Sequence, residues 1–155
     1  MKSATLLLSL LTIVVLVACK SLGTPEDQDR ASSLWTSMEG YQSWGAFPDY
    51  EGWQEGKNPH GKHIRTFINA TAASNTADLP FGSIIVKENF SARDESKLGG
   101  LTVMQRVEGY DSASGDWFWA RYEPDGGLTH SGMVTYCSNC HGNAGEDDFV
   151  FLNDE

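Results

Sequence analysis

The chain has 155 residues, 21 of them acidic and 11 basic, a formal charge of −10 at neutral pH, and three cysteines. That length holds one domain with a modest core. The acidic balance, with no basic cluster, excludes nucleic acid as a partner and accommodates a neutral or cationic small ligand.

At the N-terminus Lys2 precedes an apolar run, residues 4–18, that ends at Cys19. The run is too short for a comfortable membrane span, and its flanks suit a secretory signal. Residues 16–19, LVAC, resemble a bacterial lipobox. That reading predicts cleavage before Cys19 and lipidation of its thiol and amine, which would hold the protein on a membrane surface without spanning it. The alternative is an ordinary signal cut near Ala18, with Cys19 incidental. The expected organisation is a lipoprotein signal peptide over 1–18, a lipidated N-terminus and tether over 19–30, and one folded domain over 31–155. The polar stretch KSLGTPEDQDR, residues 20–30, has tether composition. Loss of Lys2 with the signal takes the charge from −10 to about −11. The expected location is exported and periplasm-facing, at the outer membrane more than the inner one, with which Lys20 after the lipid site is compatible.

Along the rest of the chain, Leu34, Trp35 and Met38 fall at helical spacing between an acidic start and a glycine, which predicts a short helix over 29–40. Residues 41–61 hold Trp44, Phe47, Tyr50 and Trp53 among prolines and glycines and read as an aromatic-rich loop. Strand composition follows over 63–69, 82–89, 100–107 and 116–123, with turn-prone DSASG (111–115) and PDGG (124–127) between and after the last two. A last turn of helix is expected around 133–141. Strands joined by short turns predict an α+β fold, mostly antiparallel sheet packed with a few helices.

Chemistry is concentrated near the C-terminus, in Cys137-Ser-Asn-Cys140-His141. Two thiols at this spacing, followed at once by histidine, form the attachment pattern of haem c. Each thiol adds across one vinyl group, and the imidazole is then placed to ligate the iron. A thioredoxin-type redox pair would sit early in a βαβ unit, and none surrounds this pair. A structural zinc site wants four ligands, and there is no second cysteine pair. Lipid on Cys19 and haem on Cys137 and Cys140 would account for all three cysteines.

Five pieces in order carry a family resemblance: HIRTFIN (63–69), LPFGSIIVKE (79–88), GDWFW (115–119) with Tyr122 and Asp125-Gly126, the haem motif, and DFVF (148–151). Together they resemble the cytochrome P-460 family, which includes cytochrome c′-beta, from about residue 41 to 152. The resemblance implies a mostly antiparallel sheet, a homodimer, and a haem whose five-coordinate iron is held by His141. It implies that Lys87 lies beside the haem, where hydroxylamine-oxidising members bond a lysine nitrogen to the macrocycle. It implies that Arg65 is a distal arginine able to hydrogen-bond a small nitrogen ligand. The distal carboxylate of those members should fall near residues 101–105, and no acidic residue stands there. Phe67, Phe81 and Phe90 are candidates for a distal apolar cap. His60, His63, His130, Met38, Met104 and Met133 are candidates for a sixth ligand, each more readily a surface or core residue.

Two mechanisms follow from the resemblance. As an enzyme, the protein would oxidise hydroxylamine and pass electrons to an external redox partner, with Lys87 and Arg65 as catalytic side chains. As a binding protein, it would capture nitric oxide at the same open site without turnover. Simple electron transfer is a third reading and needs a sixth protein ligand.

Overall fold

Period-two alternation on the strands sends alternate residues to opposite faces, and here both faces are covered. The computed structural model describes residues 21–151; the expected signal peptide and the expected lipid site Cys19 lie outside the described residues. Six strands form one sheet: β1 (Gln54–Glu55), β2 (His63–Ile68), β3 (Ile84–Phe90), β4 (Leu98–Arg106), β5 (Trp117–Tyr122) and β6 (Leu128–Gly132). They lie in chain order and every neighbouring pair is antiparallel. With three α-helices this is the expected α+β arrangement. β1 and β6 were not expected; one is two residues long, and the other carries glycine and histidine in place of a clean apolar alternation.

One face is covered by α1 (Pro25–Ser37). Ala31, Leu34, Met38 and Tyr41 pack there against Ile84, Val86, Leu101, Val103, Phe118, Ala120 and Tyr122. The Tyr122 hydroxyl donates to the Ala31 carbonyl at 2.8 Å, fixing the height of the helix over β5. The helix begins at Pro25, four residues before the expected start at Asp29, so the second half of the expected tether is folded. The reason is a capping box. Thr24 Oγ1 accepts from the Asp27 N–H, and the Asp27 carboxylate accepts from the Thr24 N–H at 3.0 Å, with Pro25 in the first turn.

The opposite face carries a second core: Phe47, Ile68, Ala72, Leu79, Ile85, Met104, Trp117, Trp119, Val134 and Val150, with Cys137 packed against it. The short α2 (Ala70–Ser74), capped by Asn69, supplies Ala72. The second element on this face is α3 (Thr135–His141), which carries the whole CxxCH motif. A 3-10 turn, Gly142–Asp147, follows it and returns the chain to the sheet.

Asp27 does more than cap. It is buried, and its carboxylate also accepts from the Tyr110 hydroxyl at 2.7 Å. Burial pushes its pKa up, but the hydrogen bonds from Tyr110 and Thr24 outweigh this and leave it below the ordinary 3.8. A lowered carboxyl pKa contributes stability that is present above the unfolded value and lost as pH falls through the folded one. Asp27→Asn is therefore expected to cost about 1 kcal/mol at neutral pH. The difference from the parent should shrink as pH drops below the ordinary carboxylate range, as urea midpoints across that span will show.

Candidate functional site

Strand register builds a polar row across the middle of the second face. Thr66 pairs with Lys87, Lys87 with Thr102, Thr102 with Arg121, and Arg121 with His130. On one side of this row runs an apolar one: Ile68, Ile85, Met104 and Trp119 in register. On the other side stands Asn89, two residues beyond Lys87 and paired with Ile64. Among the described residues, the strand residues on this face include no carboxylate.

His141 lies over the apolar row. Its ring packs on Trp119, centroids 4.8 Å apart, and on Phe151 at 5.4 Å, and the residue is buried. Its Nδ1 is 2.7 Å from the Phe149 carbonyl oxygen. A carbonyl only accepts, so Nδ1 carries the proton and Nε2 keeps its lone pair. A metal-ligating histidine is commonly oriented in this way, its other ring nitrogen donating to a carbonyl. Burial and the nearby Lys87 charge lower the His141 pKa against the raising effect of the Phe149 bond, which keeps the ring neutral.

The Phe149 carbonyl is held by a strained corner. Asp148 and Phe149 both have left-handed backbone, φ 53° and 63°, unusual for side chains of their size. Asp148 fixes the corner through three elements. Its carboxylate accepts from the Leu79 N–H at 2.7 Å and pairs with Arg106 at 2.9 Å, and its carbonyl accepts from Trp117 Nε1 at 2.9 Å.

The thiols occupy the same helix, Cys137 half-buried against the second core and Cys140 exposed, both free. Burial pushes the Cys137 thiol up to about 11. Redox-active CxxC pairs have lowered thiol pKa values, so this environment does not suit a disulfide oxidoreductase.

A second histidine faces this group. His60 sits in the loop between β1 and β2, its ring centroid 6.0 Å from that of His141 and nearly perpendicular to it. Its Nδ1 lies 3.2 Å from Asn89 Oδ1 and 3.1 Å from Thr102 Oγ1. Burial first, and then the Lys87 charge and His141, push its pKa down to about 3, against the raising effect of the Asn89 bond. The loop is clamped to β3 by Lys62 N–H donating to the Phe90 carbonyl. Gly61 (φ 80°) passes so close that a Cβ there would meet that same oxygen at 2.5 Å.

The remaining sequence candidates separate cleanly. Lys87 stands in the polar row and shares a face with Ile85, as alternation predicts. Arg65 pairs with Glu88, on the other side of the sheet. There its Nε donates to Glu88 at 2.7 Å and Nη1 to Glu95 at 2.9 Å, while the Tyr41 hydroxyl donates to Glu88 at 2.7 Å. The structure does not bring Arg65 to His141. A cleft of about 690 Å³ lies beside this ion pair, bounded by Trp44, Arg65, Phe67, Glu88, Phe90 and Glu95; it does not include His141 or Lys87. Phe67 packs on Tyr41 and Phe90 on Trp53, also away from the thiols, and Phe81 is exposed. Met38 is in the helix-side core, Met104 is in the row beneath His141, and Met133 is exposed. His63 shares the face of Arg65; His130 ends the polar row against Tyr136.

The residues present fit a haem. In addition to the two thiols and the unprotonated Nε2 of His141, Trp119 Nε1 and Arg121 Nε are buried with no hydrogen-bond partner. Unsatisfied buried donors are costly, and a group bearing carboxylates is the natural acceptor for them. Cys137, Cys140 and His141 would hold that group, and Lys87 and Arg121 would supply positive charge beside it.

The sequence matches the Cytochrome P460 family over residues 38–152. The chain belongs to the cytochrome P460 family. It is accordingly a haem-binding cytochrome, and the match spans every strand and the whole CxxCH motif. Comparison with curated proteins finds no match.

Sequence reasoning missed three contributors: Asn89, Thr102 and the Phe149 carbonyl. Asn89 was legible, two residues after Lys87 on the same strand face. The carbonyl was not, because a backbone acceptor has no side-chain signature. Two substitutions test these placements. Asp148→Ala should cost about 3 kcal/mol and reduce haem incorporation, because the corner aiming Phe149 loses its ion pair and hydrogen bond. Arg65→Ala should cost about as much by leaving Glu88 buried beside Tyr41 alone, while the haem absorption spectrum stays that of the parent. Chemical denaturation and an absorption scan of each variant check both.

Proposed function

We propose that the protein is an exported, lipid-anchored cytochrome that carries one haem c and binds a small nitrogen ligand, nitric oxide above all, at its iron. Cys137 and Cys140 would attach the haem through thioether bonds, and His141 would ligate its iron. Bound haem supplies an iron with affinity for small nitrogen species. The chain's own residues would hold it, keep the His141 imidazole neutral, and exclude water with Trp119 and the second core. Anchoring through Cys19 would keep it at a membrane surface facing the periplasm. Homodimerisation and an external redox partner belong to the same proposal.

The observation that favours binding over turnover is the division of charge between the faces. Oxidation of hydroxylamine releases protons and needs an acceptor for them. Among the described residues, the middle strands of the sheet face on which His141 packs carry Thr66, Lys87, Asn89, Thr102, Met104, Trp119 and Arg121, none of them a carboxylate. Glu88 and Arg65 are committed to each other and to Tyr41 on the far side. Lys87 supports the second reading, a hydroxylamine oxidoreductase whose lysine is bonded to the macrocycle, because it shares the face of Cys137 and His141.

The deciding experiment uses the exported full-length chain. It should bind nitric oxide one to one and show no hydroxylamine-dependent reduction of an external electron acceptor, with the Lys87 peptide at its unmodified mass. Sustained hydroxylamine consumption, together with a haem-linked Lys87 peptide, would replace the binding reading with the enzymatic one.

A further inference from the structure

The chain is tied to the sheet earlier than its tether composition suggests. Ser21 forms a parallel bridge with His130 in β6. Its N–H donates to the Thr129 carbonyl at 3.0 Å, and its carbonyl accepts from the Ser131 N–H at 2.9 Å. The Leu22 carbonyl accepts from the Ser131 hydroxyl. Gly23 follows in left-handed backbone (φ 62°), so close that a Cβ there would meet the Ser131 carbonyl oxygen at 2.6 Å. Thr24 then caps α1. Residues 21–24 therefore cover the outer edge of β6, where unpaired strand groups would otherwise face solvent.

Cys19 stands two residues upstream of that bridge in the sequence. Two residues of chain reach at most about 7 Å in any conformation. The other edge of the sheet, β1, is five strand spacings from β6, which at about 4.8 Å each is roughly 24 Å. A lipid on Cys19 is thus within reach of one edge only. The surface there suits a membrane boundary. Tyr136 is 47% exposed, with its ring 5.7 Å from that of His130, and Met133, between β6 and α3, is 63% exposed. A tyrosine, apolar in its body and polar at its tip, is favoured where lipid meets water. Net charge does not supply the orientation, because a chain at −10 is repelled by an anionic leaflet.

We propose that the β6 edge, with Tyr136 and Met133 beside it, is a lipid-facing surface, and that the short link to Cys19 fixes the orientation of the domain on the bilayer. The inference rests on the proposed lipid anchor and adds a contact surface and an orientation to it. The partner is a phospholipid bilayer met at its headgroup level. The helix α3 begins at Thr135, three residues after the end of β6 at Gly132. The CxxCH motif then lies in the membrane-near part of the domain, and the β1 edge faces the aqueous phase.

The test is photo-crosslinking of the exported full-length protein in vesicles of phosphatidylethanolamine and phosphatidylglycerol that contain a photoactivatable phospholipid. Modified peptides are mapped by mass spectrometry. Crosslinks should fall on residues 128–136 and not on 51–62 at the opposite edge, a reading that needs no variant to fold. Inserting about twelve glycine and serine residues between Lys20 and Ser21, upstream of the β6 bridge, gives the link a reach of roughly 20 Å. That variant should stay on the vesicles, while crosslinking of 128–136 falls by about tenfold, because a longer link lowers the local concentration of that edge at the bilayer. Equal crosslinking of both edges in the parent would overturn the proposal while leaving the lipid anchor intact. So would crosslinking of 128–136 that the insertion leaves unchanged. A parent whose Cys19 carries no lipid and which washes off the vesicles would overturn the anchor itself, and this proposal with it.

Discussion

The hydrogen bond from His141 Nδ1 to the Phe149 carbonyl is the interaction on which the site depends. It decides the tautomer, and so decides which nitrogen is offered. Two consecutive residues are held in left-handed backbone to aim one carbonyl. The cost of that conformation is offset by the three bonds Asp148 makes to Leu79, Arg106 and Trp117, which come from a loop and two strands. The orientation of one imidazole is thereby tied to the stability of the sheet.

The sheet also separates two kinds of chemistry that are adjacent in sequence. Lys87 and Glu88 are neighbours in β3, and alternation sends one to the thiols and the other to α1. Glu88 would be an expensive buried charge without Arg65 and Tyr41, and it has both. The site face, by contrast, places lysine, arginine and histidine in one row across the strands. An overall acidic protein therefore gathers cationic side chains on the sheet face where an anionic prosthetic group would sit.

Much of this was legible in the residues. The CxxCH spacing and its place at the end of the chain, the strand composition around Ile85 and Trp119, and the face of Lys87 could all be read from local pattern. Arg65 shows where such reading stops. A strand motif conveys that a residue alternates, but not which face meets which helix; that depends on α1, whose first turn was hidden in a polar stretch of tether composition. His60 shows a different gap. A lone histidine after proline in an aromatic-rich loop has no periodicity. Only the Asn89 amide, itself fixed by a carbonyl 11 positions along the chain, reveals which of its nitrogens is free.

The proposed function requires a haem bound covalently to α3, and the most direct measurement is the intact mass of the exported full-length chain in denaturant. The expected mass is increased by one haem that survives denaturation and is lost when Cys137 and Cys140 are both replaced by serine. A polypeptide of unmodified mass, exported and folded, would contradict it.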